Sequence, residues 1–240
     1  MADEPPKRRM VRPPTGGEEG GRSRPARLKT ATGRTASSQA WLERQINDPF
    51  SARARAMGYR SRAAFKLTEI DERFRLLKRD AKVIDLGCAP GGWVQVALQR
   101  GAGRVVGVDL LPINPPLPDA QIVQMDFTDP DCPAKLLDLL GGPPDVVLSD
   151  MAPNTVGHKQ TDHLRIMNLI ELAADFAIEV LKPGGAFVTK AFQGGETAAV
   201  IALLKKHFAD VRMVKPKASR AESSEVYFVA TGFGKTGKPG

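Results

Sequence analysis

Two lysines and two carboxylates, Lys66, Asp150, Lys190 and Glu225, lie far apart in this chain, yet each falls where its segment meets one edge of a single predicted β-sheet. A glycine-rich loop, Asp85-Leu-Gly-Cys-Ala-Pro-Gly-Gly92, ends at the same edge. Amines and carboxylates gathered around a nucleotide-type pocket suit removal of a proton from a bound substrate. A lone lysine beside the apolar stripe of a helix, as Lys66 is, is ordinarily a snorkelling surface residue, so its position alone gives it no role.

The elements that must position these residues alternate from residue 82 onward. Lys82–Leu86, Arg104–Val108, Ala120–Gln124, Asp145–Ser149 and Ala186–Thr189 read as strands one to five. Helices are predicted over 93–100, 134–140, 161–181 and 195–208. Strands six and seven are Asp210–Val214 and Val226–Thr231. This alternation predicts an α/β, doubly wound, mostly parallel seven-stranded sheet with helices on both faces. The segment from Lys215 to Glu225 contains Pro216 and no helical pattern. A parallel crossover needs about a dozen or more residues, so the last strand is predicted to return antiparallel and to begin, with Glu225, where the parallel strands end.

Ligands of open parallel sheets sit outside the carboxyl ends of the strands. Asp85 and Gly87 close strand one, Asp109 strand two, Asp150 strand four and Lys190 strand five, and Asp126 follows strand three. One polar residue at a strand end is commonplace, whereas this succession points to a functional site.

Ahead of the first strand the chain changes character. Residues 1–36 are rich in Pro, Gly, Arg, Ser and Thr and are predicted to be disordered. A helix is predicted from Ser37 through Trp41, then Asp48-Pro49-Phe50 leads into a basic run of Arg53, Arg55, Arg60 and Arg62. Ser61 is the predicted cap of a helix carrying Ala63, Leu67, Ile70, Phe74 and Leu77 on one face. Residues 1–79 hold 19 Lys and Arg against 9 Asp and Glu, and residues 80–240 hold 16 against 18, so the whole basic excess precedes the sheet. Such asymmetry is the footprint of a polyanion partner. Residues 37–79 are the expected segment to face that polyanion, and the 1–36 tail is suited equally to such a contact and to aiding solubility. The expected domain spans 37–232, followed by a flexible tail at 233–240.

Other signals narrow the chemistry. Cys88 and Cys132 are the only cysteines, so no disulfide framework is expected. No signal-peptide-like or membrane-length apolar run is present, and the expected location is the cytoplasm. The glycine loop departs from G-x-G-x-x-G because Ala89 takes the second glycine position, which disfavours a dinucleotide. Gly234-Lys235-Thr236 mimics a phosphate loop, but Val229 stands at the leading glycine. His158 and His163 are five apart and no metal site is expected. A side-chain-free loop with Asp109 placed to accept from ribose hydroxyls suits an adenosyl group that lacks a pyrophosphate.

The segments Ser61-Arg-Ala-Ala-Phe-Lys-Leu67, Asp85 to Trp93, Asp109-Leu-Leu-Pro112, Asp126-Phe127, Leu148-Ser-Asp-Met-Ala-Pro-Asn154, Val188-Thr-Lys-Ala-Phe192 and Ser224-Glu-Val-Tyr-Phe228 together resemble the FtsJ/RlmE family. The resemblance runs in order over roughly residues 40–232. It implies a Rossmann-like class I fold and S-adenosylmethionine-dependent 2′-O-methylation of a ribose, a uridine in 23S-type large-subunit ribosomal RNA. It further implies a Lys66, Asp150, Lys190, Glu225 tetrad with Lys190 as proton acceptor, and cofactor contacts from Gly91, Trp93, Asp109, Asp126 and Asp150. Trp93 also suits core filling, and Asp126 a turn. The expected substrate lies within the ribosomal particle and the expected enzyme is a monomer that needs no metal and no membrane. Transfer RNA or a messenger cap is the alternative within this chemistry, and a non-catalytic RNA-binding assembly factor is the alternative outside it. Neither Cys88 nor Cys132 is placed as the nucleophile of a cytosine-C5 methyltransferase, and Asp150-Met-Ala-Pro153 departs from the [D/N]-P-P-[Y/F] turn of common base N-methyltransferases. The long basic extension is the main departure from the family. Cys88 also stands where Ala is common.

Overall fold

The central predicted strands, at 82–86, 104–108, 145–149 and 186–189, are short runs rich in β-branched residues, the composition of strands covered by helices on both sides. In the computed structural model, which describes residues 48–153, 159–193 and 197–234 (the side chains of 159–163 excepted), they form one sheet. Its strands are β1 (Lys82–Leu86), β2 (Arg104–Asp109), β3 (Gln121–Gln124), β4 (Val146–Ser149), β5 (Ala186–Phe192), β6 (Phe208–Val214) and β7 (Glu225–Phe233). The order across the sheet is β3-β2-β1-β4-β5-β7-β6. β7 is antiparallel to both neighbours, β5 and β6, as the helix-free connection before it predicts, and the remaining pairs are parallel.

Six helices complete the described part: α1 (Pro49–Ala56), α2 (Ala63–Phe74), α3 (Gly92–Gln99), α4 (Cys132–Leu140), α5 (Lys159–Val180) and α6 (Thr197–His207). Successive side chains of a strand point to opposite faces, and the core divides accordingly. Val83, Val105 and Val188 pack with Leu67 and Ile70 of α2 and Val94 and Ala97 of α3. Ile84, Leu86 and Val106 pack on the other face with Leu136 and Leu140 of α4, Ile170 of α5 and Leu204 of α6. Burying each such leucine or isoleucine contributes about 1.5–3 kcal/mol. The chain leaves β1 for β2 on one side and returns to β4 on the other, so the switch point lies at the carboxyl ends of β1 and β4.

The structure differs from the sequence expectations in four places. Ser61 does not cap α2: Arg62 occupies the cap position and makes no side-chain cap bond, because the first-turn amides of Ala64 and Phe65 reach the Ser61 and Arg62 carbonyls instead. β5 does not stop at Thr189, since pairing with β7 extends it to Phe192 and leaves Lys190 inside the strand opposite Tyr227. The expected 233–240 tail begins one residue early, at Phe233, the last residue of β7. A short helix, α1, interrupts the basic run, capped by Asp48, whose Oδ2 accepts from the Ser51 amide at 2.7 Å, and opened by Pro49. The predicted disorder over 1–36, the helix from Ser37, residues 235–240 and His158 lie outside the described residues, as does the side chain of His163.

Candidate active site

The loop after β1 turns at Gly87 (φ 71°), and a Cβ there would stand 2.1 Å from Cγ of Met151. Asp109, at the end of β2, holds this loop: its Oδ2 accepts from the Ala89 amide and its Oδ1 from the Leu111 amide, each at 2.8 Å. Beside the loop opens a cavity of about 550 Å³ bordered by Gly87, Asp109, Met125, Asp126 and Asp150. That size is usual for a small-molecule site. Asp126 forms a turn, with the Thr128 amide (2.9 Å) and hydroxyl (2.7 Å) donating to its Oδ1, and these bonds hold its carboxyl below the ordinary value. Gly91 caps α3 with φ 104°, and a Cβ there would meet Leu117 and Arg60. Trp93 is buried, donates from Nε1 to the Ala63 carbonyl at 2.8 Å, and borders a smaller recess of about 160 Å³ shared with Asp85, Gly87 and Asp150.

The four residues singled out from the sequence meet at the carboxyl edge of the sheet. Lys66 comes from α2, Asp150 follows β4, Lys190 lies in β5 and Glu225 opens β7. Lys66 Nζ pairs with Glu225 Oε1 at 2.7 Å. Lys190 Nζ donates to the backbone carbonyl of Asp150 at 2.6 Å and lies 3.3 Å from its Oδ1. Both lysines are buried, at 8% exposure, which decides against the snorkelling reading of Lys66. Burial opposes the charge on Glu225, yet Lys66 above all, with Lys190 and Ser219, holds its carboxyl below the ordinary value.

Two residues that the sequence reading left out join these pairs. The Tyr227 hydroxyl donates to Asp150 Oδ1 at 2.6 Å and accepts from Lys66 Nζ at 3.1 Å, so one phenol bridges the two lysine–carboxylate pairs. Burial, then Asp150 and Glu225, pushes the Tyr227 phenol well above its ordinary value, so it stays a donor at neutral pH. Ser219 donates from Oγ to Glu225 Oε1 at 2.8 Å. Tyr227 had a legible signal: a tyrosine in an apolar core strand needs a partner for its hydroxyl. Ser219 had none.

Asp85 carries a separate consequence. It is 1% exposed and its Oδ2 has no hydrogen-bond partner among the described residues. Burial first, then Asp150 and Asp109, raises its carboxyl well above the ordinary value. A group whose folded value is raised stabilises fully below the unfolded value, near 3.8, and loses that contribution as pH rises through the folded value. Asp85→Asn is therefore expected to raise the melting temperature of the ligand-free protein at pH 8 and to change it little at pH 4. Paired thermal melts check this, and a variant less stable than wild type at pH 8 would contradict it.

The arginines of the basic run divide. Arg53 and Arg55 are exposed. Arg60 instead donates to the carbonyls of Pro90 and Pro116, each at 3.2 Å, and Arg62 pairs with Asp48 at 2.6 Å. Among the described residues no group of three or more His, Cys, Asp or Glu is placed to hold a metal ion.

A sheet of this order, with an antiparallel strand inserted beside its last parallel one and a ligand cavity at the switch point, is that of the Rossmann-like methyltransferases. Residues 59–233 match the FtsJ-like methyltransferase family, and the chain belongs to it. The Ribosomal RNA large subunit methyltransferase E of Caulobacter sp. strain K31 is 73% identical over 224 residues, which is 93% of this chain and 99% of that protein. The protein of the same name from Caulobacter vibrioides is 69% identical over 224 residues, with the same coverage. Among solved structures, a Plasmodium falciparum protein described as a ribosomal RNA methyltransferase superposes with a TM-score of 0.66 at 30% identity, over 75% of this chain and 100% of that one.

Proposed function

We propose that this chain transfers a methyl group from S-adenosylmethionine to the 2′-hydroxyl of a uridine ribose in large-subunit ribosomal RNA. The observation that carries the proposal is the buried Lys66–Glu225 and Lys190–Asp150 pairing, bridged by Tyr227, of which Asp150 borders a ligand-sized cavity. The names of the Caulobacter relatives support the choice of RNA.

The cavity fits the cofactor. Gly87 borders it with backbone alone, because Met151 fills the space a side chain there would need. Asp109 and Asp126 keep acceptor capacity for ribose hydroxyls, and Asp85 leaves a buried, unpartnered oxygen beside the loop for an ammonium group. Gly91 and Trp93 shape the start of α3 beneath it. When bound, S-adenosylmethionine supplies an electrophilic methyl group on a sulfonium.

The chain's own residues handle the proton. A ribose hydroxyl is a weak acid, so the attacking oxygen needs help in losing its hydrogen. Lys190 is the proposed acceptor. As a neutral amine it has two N–H bonds, and the carbonyl and Oδ1 of Asp150 lie within reach of both. Its lone pair is then free to take the 2′-hydroxyl proton as the new O–CH₃ bond forms. Glu225 holds Lys66, and Tyr227 locks Asp150 to it. The exposed Arg53 and Arg55 supply phosphate contacts that position the RNA without reading its sequence. The enzyme acts as a monomer on RNA within the ribosomal particle.

The test is methyl transfer from labelled S-adenosylmethionine to ribosomal subunits, free ribosomal RNA and transfer RNA from cells lacking the enzyme. Label on large-subunit particles is the expected result. Label on transfer RNA alone would keep the chemistry and overturn the substrate. Cofactor binding without label on any RNA would favour an assembly factor.

A further inference from the structure

Residues 62, 66 and 69 follow the i, i+4, i+7 spacing and therefore share one face at the start of α2. All three reach the connection between β6 and β7. Nη2 of Arg62 donates to the Ala218 carbonyl. Lys66 pairs with Glu225, the residue at which that connection enters β7. Oε2 of Glu69 accepts from the Lys217 amide at 2.7 Å. Next to these two fastenings, before Glu225, lies Ser219, whose hydroxyl donates to the Glu225 oxygen that Lys66 also binds.

Both terminal nitrogens of Arg62 are engaged. Its Nη1 pairs with Asp48 Oδ1 at 2.6 Å, and Asp48 is itself the cap of α1. Its guanidinium stands 5.5 Å from the centre of the Phe50 ring. The side chain is 12% exposed, and its buried Nε has no acceptor among the described residues. One planar fork thus spans α1, α2 and the connection, a geometry that a point-charge ammonium does not reproduce.

We propose that Arg62 and Glu69 are positioning residues for the methyl transfer. They fix the β6–β7 connection to α2 at Ala218 and Lys217, and so hold Ser219 and Glu225 in register with Lys66. This rests on the methyltransferase reading above. The competing role for Arg62 is the one its place in a basic run suggests, a phosphate contact.

The test uses the full chain and compares wild type, Arg62→Lys, Glu69→Ala and Glu69→Gln in kcat, KM for ribosomal RNA, the salt slope of RNA affinity and thermal melting. Misplaced catalytic groups lower turnover, so Arg62→Lys is expected to cut kcat on the order of tenfold with KM and salt slope unchanged. Glu69→Ala is expected to lower kcat likewise. Glu69→Gln is expected to restore it, because the amide oxygen still accepts from Lys217. If Arg62→Lys does not fold, the two Glu69 variants decide. A normal kcat in Arg62→Lys would overturn the proposal, and a normal kcat with a raised KM for ribosomal RNA would make Arg62 an RNA contact instead. Equal kcat in Glu69→Ala and wild type would overturn it too. An inactive wild type on every RNA would instead remove the methyltransferase reading on which it rests.

Discussion

Lys190→Ala is expected to lower kcat for methyl transfer by about 10²–10⁴-fold, the usual worth of a positioned general base, while S-adenosylmethionine affinity is retained. The separation follows from placement. Lys190 lies inside β5 opposite Tyr227 and contacts Asp150, but it does not border the large cavity. Lys190→Arg is expected to be equally inactive, although it keeps the positive charge, because a guanidinium cannot be deprotonated in a protein. That pair of variants separates a proton acceptor from an electrostatic anchor. Single-turnover kinetics with calorimetric cofactor titration reads both quantities. An active Lys190→Arg would make Lys190 a source of charge and nothing more.

The second large effect is on stability. Lys66→Ala strands Glu225, whose side chain is 14% exposed, without the cation that faces it at 2.7 Å. Removing one partner of a buried pair costs about 3–5 kcal/mol, against a total of about 5–15 kcal/mol for a typical domain. The double variant Lys66→Ala/Glu225→Gln is expected to recover part of that loss, since no buried charge remains. The pH dependence has a sign. In wild type the Glu225 carboxyl is held below its ordinary value near 4.5, so its contribution is present above that value and is lost as pH falls through the lowered one. Without Lys66, burial dominates and the carboxyl rises, so the stability deficit of Lys66→Ala should shrink on going from pH 8 to pH 5. Urea unfolding of the three proteins at both values measures this. An equal deficit at both, with no recovery in the double variant, would show that the pair is not coupled.

Much of this was legible because the relevant physics is local. The β-branched runs at 82–86, 104–109 and 146–149 announce buried strands, and a connection with Pro216 and no helical pattern is enough to turn β7 around. From that topology Glu225 arrives beside Asp150 and Lys190 without knowledge of any side-chain contact. What stayed hidden depends on long-range pairing. Strand propensity ends β5 at Thr189, but seven residue pairs with β7 carry it to Phe192, which puts Lys190 in the ladder and not at its tip. Ser61 has the composition of a cap, yet the chain satisfies the first amides of α2 through carbonyls. Arg60 and Arg62 read as part of one basic run with Arg53 and Arg55, and only the fold shows that the first two are spent on carbonyls and Asp48. Ser219 sits in a connection whose irregular path no periodicity predicts.

The chemistry proposed for the site makes a demand that can be read from a single product. After methylation of large-subunit particles with labelled S-adenosylmethionine, the ribosomal RNA would be digested to nucleosides and the labelled species identified by mass spectrometry. Lys190 acting as the base on a ribose hydroxyl predicts label in 2′-O-methyluridine, in a linkage that resists alkali. Label on a nucleobase, with the ribose hydroxyls unmodified, would contradict it.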